Sequence, residues 1–355
     1  MAKYSDIKGF TVQTLSTDTV ASQAAGGSWA SGGSLNSGRS AGAGCGIQTA
    51  ALYFGGDPVG PSGDLTEEYN GTAWTEKNDL NTGRGNNLGG AGTTTAALGY
   101  GGYGPGSVLA NTESWNGSSW TEVNDLNEAR QALGGCGTQT AALAVGGQPR
   151  PPITANTELY NGSSWTEVNN LNTAREEVEA VGISTSALAF GGGAPSITGK
   201  TESWNGTSWT EVNALNTARR SLAGAASGNT AALAFGGDTP PVTAVTENWD
   251  GTSWTEVSDL STARSSLGGA GTGPASALAF GGSVSPKAQT EEWTAPAVFT
   301  KQIQGQLYFN STTNTFKETI FDVPAGTWSS GGSLNQARSQ AGNNAESGSS
   351  SAAML

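Results

Sequence analysis

Glycine doublets recur through this chain at an almost constant interval, and any fold it adopts must accommodate that interval first. They stand at Gly55-Gly56, Gly101-Gly102, Gly146-Gly147, Gly191-Gly192, Gly236-Gly237 and Gly281-Gly282, in steps of 46, 45, 45, 45 and 45 residues. Such a period means one supersecondary unit repeated in a stack or a ring. The stretch from Arg219 to Thr262 displays the unit. Small residues after Arg219 (SLAGAAS) suit a crowded inner strand, and Ala231-Ala232-Leu233-Ala234-Phe235 before the doublet reads as a short apolar strand. A Pro-rich loop follows. Thr246-Glu247-Asn248-Trp249 and Ser253-Trp254-Thr255-Glu256-Val257 then alternate across the turn Asp250-Gly251, a strong hairpin signal. The four strands are called a, b, c and d.

The order of Arg, small-residue strand, apolar strand ending in Gly-Gly, aromatic strand, turn and Trp strand resembles the kelch repeat, whose four-stranded blades build β-propellers. The match covers residues 29 to about 295. One departure is the interval from Trp249 to Trp254, slightly shorter than the usual kelch spacing. A 45-residue, four-strand unit is also the length expected of a propeller blade. The fold expected is all-β, a six-bladed kelch-like β-propeller.

The repeat begins and ends in mid-blade. Gly27 to Asn36 (GSWASGGSLN) reads as a lone strand d, with Arg39 ten residues after Trp29, the interval that also separates Trp74 from Arg84 and Trp120 from Arg130. The sixth unit runs from Arg264 to Trp293 and has no strand d of its own. The economical closure completes the last blade with residues 28 to 36, pairing both ends in one sheet and leaving no open edge at the seam. Residues 1–27 read as an N-terminal arm, 28–295 as the propeller, and 296–326 as a linker containing a β-hairpin. Residues 327–355 read as the start of a second propeller-like repeat. A rival arrangement lets Trp328 close the sixth blade and places Trp29 in a seventh.

Composition narrows the function. With 54 Gly and 35% hydrophobic residues, blades must bury Trp and small side chains against one another. Ten of the eleven Trp lie in c or d strands, and each removes about 150–250 Å² from water when buried. A net charge of −13 and seven Lys argue against nucleic acid as a partner. No apolar run is long enough to span a membrane as a helix, and residues 1–20 lack a signal-peptide core. No His occurs at all, which removes galactose-oxidase-like copper chemistry, imidazole-held zinc and Ser-His triads together. A sialidase-like site needs several Arg converging on one point, whereas here they occur once per blade. The expectation is a non-enzymatic protein with no cofactor and no metal. Cys45 and Cys136 read as small fillers of strand a in blades two apart, a disulfide across the axis being the other reading.

Two sets of residues are candidates for interaction. Arg39, Arg84, Arg130, Arg175, Arg219 and Arg264 form a ring at the start of strand a, and each blade also carries a Glu at the start of strand c: Glu67, Glu113, Glu158, Glu202, Glu247 and Glu291. A planar five-donor group repeated in every blade reads as a structural tie to Glu or backbone at the blade junction; the competing reading is capture of an anion. The b–c loops differ from blade to blade, and loops on a rigid scaffold commonly carry recognition. Their isolated charges and aromatics are Asp57, Tyr103, Arg150, Lys200, Asp238 and Lys287, the candidate binding residues. Glu176, Glu177 and Glu179 interrupt an otherwise neutral strand a and read as a solvated acidic patch, with a cation at the channel mouth as the alternative. The Asn-Gly-Ser/Thr triplets at Asn70, Asn116, Asn161 and Asn205 read as turn chemistry.

The start MAKYSDIKG, the segment GQLYFNSTTNTFK and the near-identical units together resemble kelch-type structural proteins of tailed bacteriophages, especially marine ones. That resemblance implies a virion tail or fibre component, made in a host cytoplasm. Its expected partners are other virion proteins or a host-surface glycan or protein. An intracellular kelch-type adaptor is the alternative, and a carbohydrate-active enzyme stands third.

Overall fold

In a computed structural model the described residues are all-β, and six four-stranded antiparallel sheets form the blades of a β-propeller. The structure describes residues 27–57, 63–149, 152–193 and 195–295, with the strands Leu307–Asn310 and Thr315–Glu318. The chain divides into two compact units, Met1–Ala297 and Val298–Leu355. In the second, Leu307–Asn310 pairs antiparallel with Thr315–Glu318 as a hairpin.

Blade 5 shows the local logic. Strand a is Ala223–Ala226, b is Ala232–Phe235, c is Thr246–Trp249 and d is Trp254–Val257, paired in that order from the axis outward. Strand a packs against strand a of both neighbouring blades, so Gly and Ala dominate there. Strand b is buried throughout, consistent with its unbroken apolar run. Strand d is outermost; its Trp is buried while the following Thr and Glu are exposed. Exposed Glu side chains on short edge strands oppose pairing with a second molecule.

The hairpin forms about Asp250-Gly251 as expected, but strand d begins at Trp254, one residue later than the Ser253 read from the sequence. Trp249 pairs directly with Trp254, leaving a four-residue loop. The Asp250 carboxylate accepts the backbone N–H groups of Thr252 and Ser253 at 2.8 Å, which also lowers its pKa. Asn70, Asn116, Asn161 and Asn205 make the same pair of bonds in other blades.

The last blade closes as expected. Ser28–Ser31 pairs with Thr290–Thr294, with Trp29 opposite Trp293, followed inward by Ser276–Phe280 and Gly268–Gly273. The closing strand is shorter than residues 28–36, because from Gly32 the chain turns into the link to blade 1.

Six core clusters each straddle two blades. Phe54 of blade 1 lies 4.8 Å from the ring of Trp120 of blade 2, and Tyr100 of blade 2 stands at the same distance from Trp165 of blade 3. The doublets have their own role at these junctions. The second Gly donates its N–H to the carbonyl of the next blade's ring Arg, from Gly56 to Arg84 around to Gly282 and Arg39. Both glycines take positive φ, and a Cβ on Gly191 would lie 2.5 Å from the Arg219 carbonyl oxygen, so side chains are excluded there.

Around the axis runs a further closed circuit. Just before strand a, Ala41, Asn86, Asn87, Ala132, Glu177, Ser221 and Ser266 all adopt φ between 47° and 59°. Their backbones bond from blade to blade: Ser266 to Ser221, Ser221 to Glu177, Glu177 to Ala132, Ala132 to Asn86, Asn87 to Ala41, and Ala41 to Ser266, at 2.7–3.1 Å. Blade 2 spends two residues where the others spend one. That insertion accounts for the single 46-residue step in the repeat.

Candidate functional site

The propeller has two unlike faces. Links between strands d and a bridge to b–c loops through Ser40 and Asp57, Gly85 and Tyr103, Gln131 and Gln148, Glu176 and Gly193, and Arg220 and Asp238. These segments make the loop face. The a–b and c–d turns make the opposite, turn face. Gly27, where the chain enters the closing strand, and Ala295, where it leaves, lie beside the paired residues Ser28 and Thr294 at the c–d end of the blade. The Ser258 hydroxyl donates to the Gly27 carbonyl at 2.8 Å, as Asn213 donates to the Thr252 carbonyl of the turn in blade 5. Both chain connections therefore leave from the turn face.

Each ring Arg is buried and meets the Glu of its own blade. The Arg84–Glu113, Arg130–Glu158, Arg175–Glu202 and Arg264–Glu291 ion pairs measure 3.0, 2.8, 2.9 and 3.0 Å, and Arg39–Glu67 and Arg219–Glu247 pair likewise. The Arg–Glu contact is thus within a blade rather than across a junction. The junction is made by the other carboxylate oxygen. In five blades it accepts the backbone and side-chain N–H groups of the Asn in the preceding link, as Glu158 does from Asn127 at 2.8 and 2.7 Å, and in the sixth Glu291 accepts the backbone N–H of Ser261 at 2.7 Å. Burial pushes the guanidinium pKa values of Arg84, Arg130, Arg175, Arg219 and Arg264 down, and the facing carboxylates pull them back. With both charges enclosed and matched, the ring presents no open anion site.

The Thr of each Thr-Glu pair has a role that the sequence reading missed. Thr66 accepts the Trp120 indole N–H from the next blade at 3.0 Å, and Thr112, Thr157, Thr201, Thr246 and Thr290 accept those of Trp165, Trp209, Trp254, Trp29 and Trp74 at 2.9–3.1 Å. Indole N–H and Thr hydroxyl are a matched donor and acceptor; the signal available in the sequence was their fixed co-occurrence.

The candidate binding residues sit one to a blade. Asp57 is half-buried; burial raises its carboxyl pKa, while the Asn86 backbone N–H and nearby Lys287 lower it. Tyr103 belongs to a small ribbon, Tyr103–Gly104 with Ser107–Val108. Lys200 pairs with Glu211 of the outer strand at 2.7 Å, and Asp238 is held by Arg220 at 3.3 Å. Arg150 lies outside the described residues. The structure therefore brings Asp57 near Lys287, pairs Lys200 with Glu211 at the exposed surface and Asp238 with Arg220 in a partly exposed ion pair, and does not gather the set at one point. A recess of about 500 Å³ on the loop face, lined by Val108, Glu128, Pro149, Pro152 and Ile153, has no signature in the repeat. Its volume suits a side chain or small ligand.

The acidic trio is not a uniform solvated patch. Glu177 accepts from Ser221 at 2.9 Å and pairs with Arg220 at 3.3 Å. Glu176 is half-buried, its pKa raised by burial and by the charge of Glu177. Glu179 occupies the axial channel, where five blades carry Ala or Gly, between a mouth cavity of about 60 Å³ and a wider one of about 180 Å³. Its carboxylate accepts the Gly224 N–H at 3.0 Å, and burial pushes its pKa up to about 8. Pore-lining atoms remain within reach of water, so the side chain is half-buried by area although protein surrounds it. Among the described residues no group of three or more His, Cys, Asp or Glu is placed to hold a metal ion. Cys45 and Cys136 are free and buried, and burial pushes both thiols up to about 12, which makes them poor nucleophiles.

No protein-family model matches this sequence, and no curated protein matches it either. The site must be read from its own geometry. Among the described residues no helix is long and apolar enough to cross a membrane.

Proposed function

We propose that this chain is a non-enzymatic tail or fibre component of a tailed bacteriophage, with its loop face as the surface for recognition or assembly. The observation that supports this reading is the opposition of the two faces. The polypeptide joins its flanking segments at the turn face, and the non-repeating loops look the other way. A rigid ring tethered from one side holds variable loops outward, and Pro149, Pro152, Pro240 and Pro241 reduce the freedom those loops lose on docking. The kelch-like order of the unit and the phage-like segments MAKYSDIKG and GQLYFNSTTNTFK support the virion assignment. The absence of His from the sequence supports a role without imidazole chemistry.

Two measurements separate assignment from mechanism. Mass spectrometry of purified virions from cells expressing this gene should find the chain as a stoichiometric component; its absence overturns the virion reading. Replacing the loops at residues 148–156 and 193–200 with the Ser283–Gln289 loop should leave the fold intact and weaken attachment of the protein to host cells. The graft preserves the local bonding, because Gln289 supplies the carbonyl that Gly281 and Arg264 use, as Lys200 does for Gly191 and Arg175. Attachment that ignores this swap but responds to changes in the Asn116 or Asn205 turns would place recognition on the turn face.

A further inference from the structure

The axial channel holds a carboxylate without a counter-charge. Glu179 lines both channel cavities, and the wider one, of about 180 Å³, reaches the turn-face ends of the inner strands. Gly46, Gly137 and Gly182 line it near those ends, with Ala91, Ala225 and Ala270 among its other walls. The Glu179 carboxylate accepts the Gly224 N–H at 3.0 Å, and among the described residues no second donor and no cation reaches it. The strands packed against it add no charge. Gly134–Thr138 contributes the neutral thiol of Cys136, while Ala141–Val145, Ser186–Phe190 and Ala223–Ala226 contribute nothing titratable. Glu177, at the loop-face mouth, is paired with Arg220.

A second observation falls at the same mouth. Ile47 and Ile183, 47% and 42% exposed, are the only exposed large apolar side chains among the described residues. Each is the last residue of its inner strand, directly after Gly46 or Gly182, in blades 1 and 4. Those blades face one another across a six-bladed ring. The other four carry Thr93, Thr138, Ser227 and Thr272 at this position. Apolar residues gathered on an opening, rather than scattered singly, mark a surface that is covered in use.

We propose that the turn-face mouth of the channel receives one lysine side chain of a partner protein, its stem against the glycine and alanine walls and its ammonium on the free oxygen of Glu179. The chemistry favours this occupant. Calcium or magnesium needs about six or more oxygen ligands, and this cavity offers one carboxylate among apolar walls. A guanidinium is best met by both oxygens of a carboxylate, and Gly224 already holds one. An ammonium is a compact three-donor group, on a stem that lies well along apolar surface. The pKa of Glu179, pushed up to about 8 by burial, is that of a carboxylate lacking a cation, and occupancy should lower it. Both chain connections leave from this face, so a partner seated here is independent of what the variable loops bind.

The first probe is n-butylammonium, which reproduces the stem and charge of lysine, with n-butanol as its uncharged counterpart. At constant ionic strength, NMR at the Glu179 carboxyl carbon should show saturable binding, and the titration midpoint should fall when the site is filled. Binding should tighten from pH 6 to pH 9, because only the ionised carboxyl takes the cation. Glu179→Gln keeps an acceptor for Gly224 and removes the charge; the affinity should drop about tenfold or more, the scale of one charge-assisted hydrogen bond. Nα-acetyl-lysine amide should bind like n-butylammonium. Absence of saturable binding, equal binding by Glu179→Gln, or n-butanol binding as tightly as the cation overturns the proposal. Entry of n-butylammonium but not of the lysine derivative would make the pore a site for free amines and overturn the assignment to a partner protein.

Discussion

Thr112 illustrates how much of this molecule depends on single polar atoms placed between blades. Its hydroxyl receives the Trp165 indole N–H in a buried bond, so Thr112→Val keeps the shape and removes the acceptor. The cost expected for the stranded N–H is about 1–3 kcal/mol, measurable as a lower denaturant midpoint with an unchanged slope. Arg175 is the stronger case, since Arg175→Met leaves the buried Glu202 carboxylate without its counter-charge. A loss of about 3–5 kcal/mol is expected; a near-neutral result would mean that the ion pair contributes no more than an apolar contact. Glu179 makes stability depend on pH. Unfolded, its carboxyl titrates near the ordinary 4.5; folded, near 8. Between those values the folded state keeps a proton that the unfolded state has lost, so this contribution is full at low pH and falls as pH rises through the window. Glu179→Gln should flatten that decline and be more favourable relative to wild type at pH 9 than at pH 6. An equal difference at both pH values would remove Glu179 as the cause.

Among the elements, the closing strand differs from its five counterparts by lacking a covalent turn to strand c, and its Trp29 is half-buried where Trp120 and Trp165 are buried. Amides of Ser28–Ser31 and Thr290–Thr294 should therefore exchange hydrogen faster than those of the c and d strands in blades 2 to 5; equal protection would mean that the seam is as strong as a continuous hairpin. The outer strands make a second prediction. Glu76, Glu122, Glu167, Glu211 and Glu256 are exposed on edge strands, and changing all five to Thr should promote aggregation at unchanged secondary structure, read by light scattering. The blades were legible because doublet spacing, apolar runs and Trp positions are properties of a strand and its immediate neighbours. The six left-handed junctions were not, since Ala41, Ala132 and Ser221 are ordinary residues forced into that conformation by bonds to the next blade. The start of strand d differs by one residue for a related reason: Asp250-Gly251 fits more than one turn length, and pairing of Trp249 with Trp254 decides between them.

For the whole molecule, the loop face was legible from the variability of the b–c segments, but the state of its side chains was not. Nothing within one repeat indicates that Lys200 reaches Glu211 or that Arg220 of a neighbouring link takes Asp238, because those contacts join segments brought together only by the finished blade. The recess formed by Val108 and Ile153 likewise needs two blades to exist. The position of Ser28 opposite Thr294 has a mechanical consequence. The two connections meet at one end of one strand pair, where paired Cα atoms are about 5 Å apart. Tension between the flanking segments would act across the strands rather than along them, breaking the seam rung by rung from Ser28 toward Ser31. A pull applied there peels one short strand at low force, whereas the five blades with covalent c–d turns bear none of the load until that strand has let go.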